Sequence, residues 1–143
     1  MNVAMILKDK GGAMISARPG DTVAAACRLL AGHGIGAVLI LNPDGAIAGI
    51  LSERDVVRGL AQYGASLLER DVDVLMTRNV MVCSPGDTIE DVMHVMTKRR
   101  IRHLPVVEEN RLVGMISIGD VVKRRIADTE LEAEALRQYI ATG

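Results

Sequence analysis

Gly49-Ile50-Leu51-Ser52-Glu53-Arg54-Asp55-Val56-Val57 returns later in the chain as Gly114-Met115-Ile116-Ser117-Ile118-Gly119-Asp120-Val121-Val122. In both stretches an apolar run reaches a serine, an aspartate follows three residues on, and two valines come next. Upstream, Pro19-Gly20-Asp21-Thr22 recurs as Pro85-Gly86-Asp87-Thr88. With one residue of gap, residues 19–60 align on 85–125 with ten identities, the mark of an internal duplication. The leaders match as well, Val3-Ala4-Met5 against Val74-Leu75-Met76.

Each copy predicts the same elements. After the Pro-Gly turn, Asp87 is a helix N-cap with Glu90 three residues on, and Ile89, Val92, Met93 and Met96 form one apolar face. Val23, Ala26, Cys27 and Leu30 repeat that stripe. Two short apolar strands follow, 35–41 and 47–52 about Asn42-Pro43-Asp44-Gly45, or 104–107 and 112–117 about Glu109-Asn110. A second helix starts at each Ser-x-x-Asp, with Val56, Val57 and Leu60, or Val121, Val122 and Ile126, expected to point inward. The expected fold is α/β (α+β): two β-α-β-β-α repeats packed sheet to sheet about a pseudo-twofold axis, with a C-terminal helical extension. One repeat alone buries too little apolar surface to be secure. Residues 3–63 make repeat one, 64–73 a linker, 74–126 repeat two and 127–143 the C-terminal helix. On that helix Glu130, Glu132 and Glu134 take wet positions, while Leu131, Leu136, Tyr139 and Ile140 are left for packing, a stripe that suits a homodimer.

Composition removes several function classes. Seventeen Lys plus Arg against eighteen Asp plus Glu give a net charge of −1, without the basic footprint of a general nucleic-acid or membrane-surface binder. Two Tyr, no Phe and no Trp leave no ring ladder for stacking single-stranded bases. The start, MNVAMILKDK, lacks a basic n-region, an h-region and a cleavage site, so the expected compartment is the cytoplasm. Cys27 and Cys83 sit in apolar patterns without metal or redox spacing and read as reduced core thiols. His33, His94 and His103 have no partner at nucleophile or metal spacing. Gly32-x-Gly34-x-x-Ala37 fits a dinucleotide fingerprint, but it follows a helix and opens a strand, the reverse of the order that brings phosphate to a helix N-terminus.

The shared chemistry lies in Ser52-x-x-Asp55 and Ser117-x-x-Asp120. One reading is a helix capping box, although Asp is shorter than the Glu or Gln such a box prefers. The other is a ligand site: a helix N-terminus favours anions, and an Asp carboxylate can accept both hydroxyls of a ribose cis-diol. Lys98-Arg99-Arg100 reads as a solvated helix end, whereas Arg102 and His103 flank a strand and are candidate phosphate ligands.

The duplicated pattern, PGDT, then His103-Leu104-Pro105-Val106-Val107, then G-x-[IL]-S-x-x-D-V-V, resembles the cystathionine β-synthase (CBS) domain, and the chain resembles a tandem pair, or Bateman module, of the small stand-alone bacterial kind. The Met76-Thr77-Arg78-Asn79-Val80 lead-in to copy two is similar too. The resemblance covers residues 3–126 and is stronger in copy two. It implies a non-catalytic regulatory module that binds AMP, ADP, ATP or NADH, less readily S-adenosylmethionine, in two clefts, forms a homodimer and signals occupancy to a protein partner. It implies that Asp55 and Asp120 hold ribose, with Ser52 and Ser117 near phosphates. One cleft would join Asp55 to Arg102 and His103, with Met81 and Ile50 toward adenine. The other would join Asp120 to Gly36 and Ala37, with Arg54 as its cation and Ile15 and Met115 toward the base. The Asp55 cleft is therefore expected to prefer charged phosphates and the Asp120 cleft to be weaker. The alternative is a ligand-free scaffold.

Overall fold

The computed structural model describes residues 1–11 and 14–142 and divides into two compact units, Met1–Gly12 with Val82–Gly143, and Ala13–Met81. The fold is mixed α/β, with two small sheets. In the Ala13–Met81 unit, β1 (Ser16–Ala17) runs parallel to β2 (Ala37–Leu41), which pairs antiparallel with β3 (Ile47–Ser52). Helices α2 (Val23–His33) and α3 (Glu53–Tyr63) complete the repeat. In the other unit β4 (His103–Glu108) pairs antiparallel with β5 (Arg111–Ser117), joined by α4 (Ile89–Arg99) and α5 (Ile118–Thr142). The first strand of copy two shrinks to one parallel bridge, Cys83 against Val106. The expected C-terminal helix is continuous with α5, and its last residue, Gly143, lies outside the described residues.

The repeated PGDT works by dividing its polar groups. Asp21 accepts the Arg18 N–H at 2.9 Å and Asp87 accepts the Ser84 N–H at 2.9 Å, each closing the Pro-Gly turn. The threonine is then the N-cap: Thr22 accepts from Ala25 N–H and Thr88 from Asp91 N–H, both at 3.1 Å. The expected Asp87 cap is thus corrected by one residue, because the carboxylate is already spent on the turn. The hairpins differ in turn chemistry. Gly45 (φ 88°) donates to Asn42 C=O in copy one, whereas Glu109 and Asn110 both take positive φ in copy two, as a two-residue turn with the strand twist requires. The Gly32-x-Gly34 segment is a helix-to-strand turn, with Gly34 in the left-handed region (φ 62°, ψ 36°).

Each unit has its own aliphatic core. One joins Ala26, Leu30, Val38, Ile40, Leu51 and Val72. The other joins Val3, Ile6, Ile89, Val92, Leu104, Ile116 and Val121. Sequence order groups the leader with copy one, but α1 (Val3–Lys10), capped by Asn2, packs with copy two: Val3 N–H donates to Asp87 C=O at 3.0 Å. Segment 70–77 does the same for copy one, Val72 N–H donating to Asp21 C=O at 2.8 Å, so the equivalent of Val3 is Val72 rather than Val74. Cys83 is buried and its thiol is pushed up to about 12, first by desolvation and then by the Asp87 charge; Cys27 is half-buried and also raised by desolvation. Both are free thiols.

Four residues expected inside lie outside. Val56 and Val121 face the cores, but Val57, Leu60, Val122 and Ile126 are exposed. In α3 the inward stripe runs through Val56 and the buried Gly59, which sits against Leu67 and Leu75. In α5 it runs from Val121 to Arg124 and the buried Asp128, whose carboxylate is 3.0 Å from the Arg124 guanidinium.

Gly49 and Gly114, equivalent in the repeat, admit these strapping segments. A Cβ at Gly49 would meet Thr77 O at 2.8 Å, whereas at Gly114 it would meet the Leu7 Cδ2 methyl at 2.5 Å. A backbone oxygen, held here by a ladder to Ile50, yields less than a side-chain tip. Gly49→Ala should therefore destabilise by about 1–3 kcal/mol and Gly114→Ala by less. Urea unfolding of both variants checks this, and the reverse order would contradict it.

Candidate functional site

Strand β3 delivers the N-terminus of α3 through Ser52, and β5 delivers that of α5 through Ser117. In copy one the Asp55 carboxylate accepts the Ser52 backbone N–H at 2.9 Å and the Ser52 hydroxyl at 3.1 Å, while Ser52 Oγ accepts the Asp55 N–H at 3.4 Å. In copy two Asp120 accepts the Ser117 N–H at 2.9 Å and Ser117 Oγ accepts the Asp120 N–H at 3.2 Å. Both motifs are therefore closed capping boxes, and the shorter Asp reaches as Glu would. Each carboxylate remains only half-buried beside a helix N-terminus, where the first peptide N–H groups and the dipole create positive potential.

The start of the preceding strand flanks each box. Gly36 C=O accepts Glu53 N–H at 3.0 Å and Ala37 lies opposite Ser52. Arg102 C=O accepts Ile118 N–H at 2.8 Å and His103 lies opposite Ser117. Within one unit, then, Gly36, Ala37, Ile50, Ser52 and Asp55 gather at the β2–β3–α3 junction, and Arg102, His103, Met115, Ser117 and Asp120 at the β4–β5–α5 junction. Arg54 is exposed on the first turn of α3, Ile15 packs beside the copy-one core, and Met81 is exposed at the end of its unit.

Lys10, at the last turn of α1, went unnoticed in the sequence. Its ammonium donates to Asp120 Oδ2 at 2.8 Å and to Met115 C=O at 2.9 Å. The resemblance implies Arg54 as the cation beside Asp120; the structure puts Lys10 on it, because the leader folds with copy two. Burial of Asp120 works to raise its pKa, but the Lys10 bond, the Ser117 bonds and the Lys10 charge together outweigh it and hold the carboxyl below its ordinary value. A neighbouring pair, Asp9 to Arg124 at 3.5 Å, ties the same helix to α5. Among the described residues no group of three or more His, Cys, Asp or Glu is placed to hold a metal ion, and no helix is long and apolar enough to cross a membrane.

This architecture is that of a known family. The CBS domain model matches residues 12–62 and again 70–127, so the chain belongs to the CBS domain family and carries two such domains in tandem. It is similar to a CBS-domain containing protein from Agrobacterium tumefaciens, 43% identical over 87% of this chain and 92% of that one, with a TM-score of 0.85. It is similar to a mitochondrial CBS domain-containing protein of Arabidopsis thaliana, 32% identical over 99% of this chain and 72% of that protein. The CBS domain pair of protein MJ0100, solved in complex with 5'-methylthioadenosine and S-adenosyl-L-methionine, is 26% identical over 90% of this chain and 98% of that one, with a TM-score of 0.79.

Because the native Asp120 pKa is lowered, its contribution to stability is present above the ordinary carboxylate value of about 3.9 and is lost as the pH falls through the lower native value. Asp120→Asn should therefore be less stable than the parent at pH 7, with the gap closing at acid pH. Urea unfolding between pH 7 and about 3 reads this; a gap that stays constant, or widens in acid, would contradict it.

Proposed function

We propose that the chain is a non-catalytic regulatory module whose two Ser-x-x-Asp junctions bind adenosine ligands, AMP, ADP, ATP or NADH, and that occupancy is transmitted to a protein partner. The observation that carries this reading is the repeated junction itself: a half-buried carboxylate beside a helix N-terminus, present once in each copy at 2.9 Å from its serine N–H. A carboxylate has about four lone-pair positions, so closing a cap leaves acceptor capacity for a ribose cis-diol, while the first turn of the helix suits a phosphate. The 5'-methylthioadenosine and S-adenosylmethionine of the MJ0100 pair support an adenosine-bearing ligand class. Ile50 and Met115, next to the two serines, offer aliphatic surface to a base. Arg102 and His103 remain phosphate-ligand candidates.

The two sites are unequal, because Asp120 shares its carboxylate with an ammonium. The exposed Leu131, Leu136, Tyr139 and Ile140 of α5 suit a second copy of the chain. A ligand-free scaffold is the competing reading, favoured by one observation: both acids already complete their helix caps.

A thermal-shift panel with AMP, ATP, NADH and S-adenosylmethionine separates the two readings. A ligand at one hundred times its Kd adds about 2.7 kcal/mol, hence several degrees in Tm. Asp55→Ala and Asp120→Ala, made separately, should each abolish one binding event, with the larger loss of affinity at Asp55. No shift with any of the four ligands, or equal losses for the two variants, would overturn this account. Light scattering should give twice the 15.3 kDa chain mass, and a monomer would remove the dimer from it.

A further inference from the structure

We infer that Lys10 is an anion-binding residue of the copy-two site and that it makes this site select phosphorylated over neutral adenosine ligands. The inference rests on the reading of Asp120 as a ribose acid and goes further, to which ligands that acid can accept. Lys10 comes from the far end of the sequence, on a helix that is docked: Val3 and Ile6 are in the copy-two core, Leu7 lies against Gly114, and Asp9 faces Arg124. The ammonium is thus delivered to one place, between Asp120 Oδ2 and the carbonyl of Met115, at the junction where β5 becomes α5.

An ammonium has three N–H donors, and Asp120 and Met115 take two. The Lys10 side chain is still 42% exposed, so the ion pair is not sealed from solvent and one donor is left for a ligand. A neutral nucleoside that brings its diol to Asp120 must compete with a charge-assisted bond and offers the displaced ammonium nothing in return. A phosphorylated ligand offers it an anion beside a helix N-terminus, so the ion pair is exchanged rather than lost. Lys10 is a competitor for the first ligand and a partner for the second.

The strap of copy one is built differently. Residues 70–77 present Met76 and Thr77 to Gly49 and contain no lysine, and their one arginine, Arg70, lies over the Tyr63 ring at 4.3 Å. Discrimination by charge through a leader lysine is therefore a property of the Asp120 site. It runs against the sequence-based expectation that phosphate preference belongs to the Asp55 site.

The test is calorimetric titration of the full chain with adenosine and with AMP, in the Asp55→Ala background so that only the Asp120 site reports. Lys10→Met should lower the ratio of AMP to adenosine affinity by about tenfold or more, the worth of one charge-assisted contact, with adenosine binding as tightly as before or tighter. Lys10→Arg should keep most of the ratio. Urea unfolding shows whether Lys10→Met is folded, and a change of more than about 1 kcal/mol would exceed what so exposed a pair supplies and assign the lysine to structure instead. Equal weakening of both ligands, or no change in either, overturns the inference. If the Asp55→Ala chain binds AMP, Asp120→Asn removes that binding and Lys10→Met leaves the ratio unchanged, this inference alone fails. If the parent chain binds neither ligand, the ribose reading fails and takes this one with it.

Discussion

The reciprocal bond between a serine and the aspartate three residues on governs what each copy can be. It converts the last residue of a buried strand into the first cap of a helix, fixes the exit angle of that helix, and holds a carboxylate at the edge of the core rather than inside it. A Glu in the same place would cap the helix as well, but on a longer arm. The short Asp side chain keeps the charge within reach of the strand end and of the opening peptide N–H groups. The structural role and the proposed binding role use the same atoms, and neither excludes the other, because a carboxylate accepts more hydrogen bonds than a cap consumes.

The duplication gives this junction twice but does not give two equal environments. Strapping segments decide the difference. Residues 70–77 cross copy one with a hydrogen-bonded ladder between Thr77 and Ile50, a neutral contact. Helix α1 crosses copy two with Asp9 and Lys10 and forms ion pairs with Arg124 and Asp120. The polar stripe of α5, Arg124 and buried Asp128, makes sense in this light: it faces a charged strap as well as an apolar sheet. Side chains that would have filled that stripe, Val122 and Ile126, turn outward instead.

Much of this was legible in the sequence because it is local. The Pro-Gly turns, the 3.6-residue apolar stripes, the two hairpins and the Ser-x-x-Asp boxes are each formed by residues close together in the chain and carry their own signals. The cap of α4 falls on Thr88 rather than Asp87: Asp and Thr are both good capping residues, and only the turn geometry shows which is already engaged. The Lys10–Asp120 pair was invisible for a different reason. Its partners are 110 residues apart, and the repeat itself suggested that each leader belongs to the copy that follows it. A duplicated sequence hides an exchanged leader, since the alignment is the same either way. The exposed Val57 and Leu60 were missed because an inward face narrowed to Val56 and Gly59 cannot be told from a wide one by periodicity alone.

The central claim is that one Ser–Asp junction per copy both caps a helix and receives a ligand. Backbone amide NMR during titration with AMP addresses it most directly, since the Ser52, Asp55, Ser117 and Asp120 N–H groups take part in the caps themselves. The account predicts that the largest shifts fall on those four amides and on the first-turn residues beside them. Saturable AMP binding that leaves all four amides unmoved while others respond would contradict it.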